Sequence, residues 1–312
     1  MDIKYGRKRS GIIRELKKKV QEWLDSIDDP IIRKAAEQDV IVTGGSICSM
    51  LMGDKINDFD LYFRTKETTK LLAEYYVNKF NEKNKLKISK GVIEYKPVVR
   101  EENLLNVKGL AEDRIVIYIK SAGVAGEDQE EYSYFESMPP EAATKFMESL
   151  AEKEGDERYR AVFMSQNAIT LSDKVQLVIR FYGEPNEIHD NYDFIHATCY
   201  WDHHNGHLEL PAEAMEAMLS RTLIYKGSLY PIASIFRTKK FLERGWRITA
   251  GQQLKIMWQI SEIDLSDHTI LREQLTGVDA AYMYQLVEAL KDIDPKKIDS
   301  AYVSEVIDLI FD

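Results

Sequence analysis

Residues 40–63 read VIVTGGSICSMLMGDKINDFDLYF. The apolar and β-branched run Val40 to Thr43 ends in Gly44, Gly45 and Ser46. Residues 47–52 then suit one or two helical turns, and Gly53 breaks them. From Asp58 the residues alternate, so Asp58, Asp60 and Tyr62 share one face of an extended segment and Phe59, Leu61 and Phe63 share the other. One face is acidic and the other is suited to burial. Two aspartates at i and i+2 on a strand point the same way, where they can share divalent ions that also grip a triphosphate for in-line phosphoryl transfer. The glycines let backbone N–H groups approach phosphates with no Cβ in the way. A helix starting there adds its positive dipole end, and Ser46 can donate one further hydrogen bond. Either piece alone is a tight turn or a strand cap. The strand, turn, helix and strand in succession are what turn the two pieces into a metal and triphosphate site.

Working outward, residues 11–38 have the helical period in Ile12, Ile13, Leu16, Val20, Trp23 and Leu24, then Ile31, Ile32 and Ala35, with a break expected near Pro30. Residues 68–79 read as helix, and 92–99 and 114–120 as strands by their β-branched and aromatic content. The acidic, glycine-containing stretch 121–134 reads as a loop and 140–153 as a surface helix. Strands are expected at 168–171, 175–181 and 192–201. After Pro211 the helical period takes over at 212–223, 232–244, 250–260, 280–290 and 303–311. A chain of 312 residues suits two domains at roughly 100–200 residues each. The composition shift at 208–211 places the boundary: 1–210, with an insertion around 65–165, and a helical 211–312. The fold class expected is α+β, a mixed sheet with flanking helices followed by an all-helical C-terminal domain.

Hydrophobic content of 44% and charged content of 30% are those of a folded globular protein. Cys48 and Cys199 are too far apart in sequence to suggest a disulfide framework or a paired-cysteine metal knuckle, so a reducing, cytoplasmic compartment is expected. The basic N-terminus lacks an apolar signal segment, and no run approaches the roughly 18 apolar residues that span a bilayer, so no membrane role is expected. A net charge of −10 argues against general binding to phosphate backbones. The distribution is uneven, however. Residues 1–20 carry eight basic and two acidic side chains, residues 221–255 carry eight and one, and residues 101–160 carry seven basic against fifteen acidic. A polyanion would meet the two basic stretches, although such runs also serve simply to solvate a helix.

The string from Gly44 to Phe63 resembles the DNA polymerase beta superfamily of nucleotidyltransferases, and within it the head domains of CCA-adding enzymes and bacterial poly(A) polymerases. Their pattern GG-x-x-R-D-x-L-x-G-x-x-x-x-D-x-D is matched without a gap by Gly44, Gly45, Leu51, Gly53, Asp58 and Asp60, with Cys48 and Ser49 in place of its Arg-Asp pair. Residues 191–202, NYDFIHATCYWD, look like the family's RRDFTINALAYD segment, which contacts the nucleotide sugar. Asp193, Phe194 and Asp202 agree, while Asn191 and Tyr192 replace two arginines. Residues 235–248, IFRTKKFLERGWRI, are similar to its neck helix through Arg237, Lys240, Phe241, Gly245, Trp246 and Ile248, with one residue fewer before the glycine. The acidic template by which CCA-adding enzymes choose C or A is absent. The likeness covers 40–64 and 190–260 well and 65–165 loosely.

A third carboxylate usually completes such a site, as metal ligand or as base for the attacking hydroxyl. Gln176 stands where one is expected on a palm strand, and Asp193 is the alternative, although the motif would make it a ribose contact. The resemblance implies transfer of a nucleoside monophosphate from an NTP to a hydroxyl, with an RNA 3′ end as acceptor. Asp58, Asp60 and Asp193 would hold Mg²⁺ or Mn²⁺, Gly44, Gly45 and Ser46 would cradle phosphates, and Arg237 and Lys240 would neutralise them. RNA of tRNA-like form would lie along 221–255. Two other readings stay open: a transferase acting on a protein or small molecule, and a catalytically silent nucleotide binder. His196, Cys199, His203, His204 and His207 lack the spacing of a zinc site. Cys48, Phe241 and Trp246 read as core residues.

Overall fold

A computed structural model describes residues 6–85, 96–105, 111–118, 124–125, 158–264, 270 and 274. The chain opens with helices α1 (Arg9–Asp25) and α2 (Pro30–Asp39). The break falls at Pro30, where the Asp29 carboxylate caps α2 by accepting from the Ile31 and Ile32 N–H groups. Strand β1 (Val40–Thr43) leads into helix α3 (Gly45–Met52) and strand β2 (Phe59–Phe63). Helix α4 (Lys66–Lys83) follows, capped by Thr65, and then the antiparallel pair β3 (Val98–Leu105) and β4 (Ala111–Tyr118). Strands β5 (Val124–Ala125), β6 (Ala161–Met164), β7 (Ala168–Leu171) and β8 (Val175–Val178) rejoin the main sheet. Helix α5 (Pro185–His189), a 3-10 turn at Ile195–Ala197, and strands β9 (Tyr200–Asp202) and β10 (Leu208–Glu209) complete it. Beyond lie α6 (Ala212–Ser220), β11 (Thr222–Leu223), α7 (Pro231–Glu243), β12 (Arg247–Ile248) and α8 (Ala250–Ser261).

Among the described residues the main sheet has eight strands in the order β10-β9-β1-β2-β8-β7-β6-β5. It is mixed: β2 and β8 run parallel, and every other neighbouring pair is antiparallel. One face carries Val40, Val42, Phe59, Leu61, Phe63, Val175, Leu177 and Trp201, packed with Ile12, Leu16, Val20 and Trp23 of α1 and Leu72 and Tyr76 of α4 into the principal core. The opposite face carries Ile41, Tyr62 and Val178, which with Ile188 of α5 form a smaller cluster. The alternation read in β2 is therefore realised, with its apolar side in the core. The principal core continues through Ala214, Met218, Leu223, Tyr225, Trp246 and Ile256, so residues on both sides of Pro211 share one apolar cluster.

Several local expectations are corrected. The strand expected over 192–201 forms only as Tyr200–Asp202. Before it the chain turns, and Phe194 pairs in an isolated bridge with Tyr225, which buries the aromatic without extending the strand. The strand expected over 92–99 runs from Val98 to Leu105, and the one at 114–120 from Ala111 to Tyr118. Val124–Ala125, expected in a loop, pairs with β6, itself unforeseen. The stretch after Pro211 is not purely helical, because β11 and β12 pair in parallel. Residues 92–95, 126–134, 140–153, 280–290 and 303–311 lie outside the described residues. Among the described residues no helix is long and apolar enough to cross a membrane.

Candidate phosphate and metal site

Strand β1 ends at the fully buried Thr43, and the turn after it depends on Gly44, whose φ of 94° and ψ of −151° belong to glycine alone. A Cβ there would lie 3.1 Å from Asp60 Oδ2 and 3.5 Å from the Tyr192 hydroxyl, so the glycine also makes room for both side chains. At Gly45 a Cβ would meet nothing within 4 Å, which leaves this side of the turn open. Helix α3 starts here without a side-chain cap. Its first-turn N–H groups therefore have no intrahelical acceptor and face the turn. Ser46 is 2% exposed, and its Oγ is buried with no hydrogen-bond partner. An unpartnered buried hydroxyl is costly. At an uncapped helix N-terminus it is suited to donate to an anion.

The acidic face of β2 meets this turn. Asp60 is in register with Thr43 on β1 and with Gln176 on β8, and Tyr200 and Thr170 extend the same row to β9 and β7. Asp60 keeps some open surface although protein crowds it, as a carboxylate lining a cleft does. Burial first, and the charge of Asp58 second, push its carboxyl well above the ordinary value of 3.8. A divalent cation is the natural complement of two such carboxylates. With the vacant Ser46 hydroxyl, these residues fit a metal-bound triphosphate.

Asp193 has another neighbour: Arg237 of α7 donates to its Oδ2 at 2.7 Å. Among the described residues no group of three or more His, Cys, Asp and Glu side chains could hold a metal ion, so Asp193 does not join Asp58 and Asp60 in a three-ligand cluster. Arg237 does reach the site electrostatically, for its charge acts on the Tyr62 hydroxyl. Lys240, one turn further along α7, is partly exposed. Asp202 is paired with Arg64 at 2.7 Å.

A polar cluster that sequence reasoning missed backs the site. The Thr43 hydroxyl donates to the Cys199 carbonyl at 2.9 Å and contacts His189 Nε2 at 2.8 Å. Tyr192 is hydrogen-bonded to Thr43 and Tyr62, with the two tyrosine rings 6.1 Å apart. Burial, and then Lys226, hold His189 down at about 4, so it is neutral at pH 7. Burial and the Asp60 charge push the Tyr62 hydroxyl up. Tyr62 was legible as a neighbour of Asp60 from the alternation of β2. His189 gave no signal, because its partner is 146 residues away.

The histidines considered for zinc are scattered among other roles. His196 lies against Phe194, Phe241 and Trp246, His207 bonds Glu209, and the His204 N–H donates to Asp202. Cys48 and Cys199 are buried free thiols, each pushed up to about 12 by burial, so neither is a nucleophile. Of the basic side chains in 221–255, Arg221 bonds the Arg244 carbonyl, Arg247 bonds Thr222, Lys226 bonds the His189 carbonyl, and Arg237 bonds Asp193.

Fold and site together define an α+β protein with a mixed sheet in which a glycine turn lies against the carboxylate of Asp60. The chain belongs to the Gabija anti-defense 2 family, whose model matches residues 14–221. Among solved structures it is similar to the Thermotoga maritima CCA-adding enzyme complexed with tRNA, at 13% identity and a TM-score of 0.38, over 93% of this chain and 54% of that one. A CCA-adding enzyme complexed with CTP gives 13% identity and a TM-score of 0.33, over 89% and 51%. The Bacillus stearothermophilus CCA-adding enzyme in complex with CTP gives 13% and 0.31, over 86% and 51%. This chain thus spans about half the length of each. No curated protein sequence matches the chain.

Proposed function

We propose that this protein binds a nucleoside triphosphate with Mg²⁺ or Mn²⁺ and transfers the nucleoside monophosphate to an acceptor oxygen, releasing pyrophosphate. Opposition to Gabija, which the family's description states, is the setting in which this activity serves. The observation that carries the reading is the buried Ser46 hydroxyl, unpartnered at the uncapped start of α3, beside a glycine whose missing Cβ leaves 3.1 Å to Asp60 Oδ2. In this reading Asp58 and Asp60 hold the cation, while Gly44, Gly45 and Ser46 present N–H and O–H donors to the phosphates. Arg237, steadied by Asp193, supplies positive charge from α7, with Lys240 one turn on. The cation, when bound, offsets charge on the α-phosphate and the leaving pyrophosphate. Tyr62 and Tyr192, kept protonated, wall the carboxylates and exclude water.

A second reading, nucleotide binding without transfer, is favoured by the neutral Gln176 beside Asp60. Incubation with each α-³²P-labelled NTP, Mg²⁺ and cellular extract, with binding of each NTP measured in parallel, separates the two. Transfer of label that falls about a thousandfold or more in Asp58→Ala, Asp60→Ala, several kcal/mol of lost charge stabilisation, is the expected result. Binding and labelling indifferent to that double substitution would sink both readings.

A further inference from the structure

Asp60 lies between Thr43 and Gln176 in the register of the sheet. In-register residues of adjacent strands project to one face. Gln176 therefore holds the place beside Asp60 from which a carboxylate could take the proton of an attacking hydroxyl, and an amide cannot take it. The other carboxylates of β9, β10 and the 190–193 turn are engaged: Asp193 with Arg237 at 2.7 Å, Asp202 with Arg64 at 2.7 Å, Glu209 with His207 at 2.9 Å and Asp190 with Lys226 at 3.4 Å. Each of these carboxylates is thus already held by a side-chain partner and is not aimed beside Asp60 as Gln176 is. His189 does not replace them. Its Nε2 is engaged with the Thr43 hydroxyl at 2.8 Å, and burial, then Lys226, hold the ring down at about 4, too weakly basic to take the proton of a hydroxyl.

From this we infer that the acceptor is a phosphate monoester and not a hydroxyl; the inference rests on the transferase reading above. A phosphate monoester has its second pKa at about 6, so at neutral pH its oxygen attacks without surrendering a proton. That oxygen forms a bond to the α-phosphorus of the NTP. The bond from α-phosphorus to the bridging oxygen breaks, and pyrophosphate leaves with the electron pair. The product is a phosphoanhydride joining the acceptor to the nucleoside monophosphate, and no proton moves at the attacking atom. Helix α7 carries Arg237, Lys239 and Lys240 against Glu243 and the Asp193 carboxylate paired with Arg237, a net positive charge that suits an anionic acceptor.

The test offers α-³²P-labelled NTP and Mg²⁺ three acceptors: an oligodeoxynucleotide with a 5′-phosphate and a 3′-dideoxy end, the same sequence with 5′- and 3′-hydroxyls, and phenyl phosphate. Binding of α,β-methylene NTP is titrated alongside. Wild type is expected to label a phosphate acceptor at least ~100-fold faster than the hydroxyl one, the scale of a missing general base. Gln176→Glu, or Gln176→Asp should the first fail to fold, is expected to raise hydroxyl labelling about tenfold or more. The ratio of oligonucleotide to phenyl phosphate labelling tells a nucleic-acid end from a small molecule. Equal or faster labelling of the hydroxyl by wild type overturns the inference. So does the absence of any labelled acceptor while α,β-methylene NTP binds in an Asp58- and Asp60-dependent way, an outcome that leaves the nucleotide site standing. Failure of wild type to bind the analogue removes both.

Discussion

The two faces of β2 come from alternate residues of one five-residue strand and are held in opposite ways. On one face Phe59, Leu61 and Phe63 are at most 3% exposed and lie among α1, α4 and the neighbouring strands, with the Phe63 ring 6.1 Å from that of Trp23. On the other, Asp60 feels the charge of Asp58 and lies in a row of polar side chains, against the glycine turn that leads to Ser46. Excluding water stabilises the first face in the protein by itself. The second keeps two carboxylates together in a crowded place, at a cost that a proton or a bound cation relieves. The stabilising face and the proposed functional face are thus separated by a period of two residues.

Substitutions that exchange the character of the faces test this separation. The largest effect on stability belongs to the core: Phe63→Ala should cost about 3–5 kcal/mol in urea unfolding, cavity included. A loss below about 1 kcal/mol would show that the core face is not the stabilising one. Next comes the acidic face, where the sign reverses. The folded carboxyl of Asp60 binds its proton more tightly than in the unfolded chain, where 3.8 applies. Its contribution is fully present below that value and is lost as pH rises through the folded value. As pH rises through the folded value, the thermal midpoint of metal-free wild type should therefore drop relative to that of Asp60→Asn. Parallel curves for the two proteins would contradict the burial argument. The smallest change in stability is expected of Ser46→Ala, which removes an unpartnered hydroxyl and should leave the midpoint unchanged or slightly raised, while weakening NTP affinity about tenfold. A destabilised variant with unaltered affinity would mean that Ser46 serves the fold.

The faces of β2 and the turn at Gly44 were legible because their signals are local: a period of two, and a glycine pair between a strand and a helix. Burial of Cys48 and Trp246 was legible from residue type, a thiol with no histidine near it in sequence and a large aromatic. Residues 192–201 misled because Tyr192, Phe194, Ile195, Tyr200 and Trp201 have strand-like composition. Burial of Phe194 is achieved instead through a single bridge to Tyr225, and β-propensity reports burial more than backbone conformation. The pairing of Asp193 with Arg237 joins residues 44 positions apart, and that of Arg64 with Asp202 joins residues 138 apart. No local pattern marks such partners. Gln176 was noticed for its lack of charge, but only the register of β8 shows that it sits beside Asp60.

The parallel pairing of β2 with β8 also has a consequence in time. Its partners Asp60 and Gln176 are separated by everything from α4 to β7. Each doubling of a connecting loop adds only about 0.6 kcal/mol to the entropy of closing it. A flexible connection within that span can therefore lengthen at little thermodynamic penalty without moving the acidic strand. During synthesis, however, β2 must wait for β8 to leave the ribosome with one edge unpaired. The young chain is then open to mispairing along that edge.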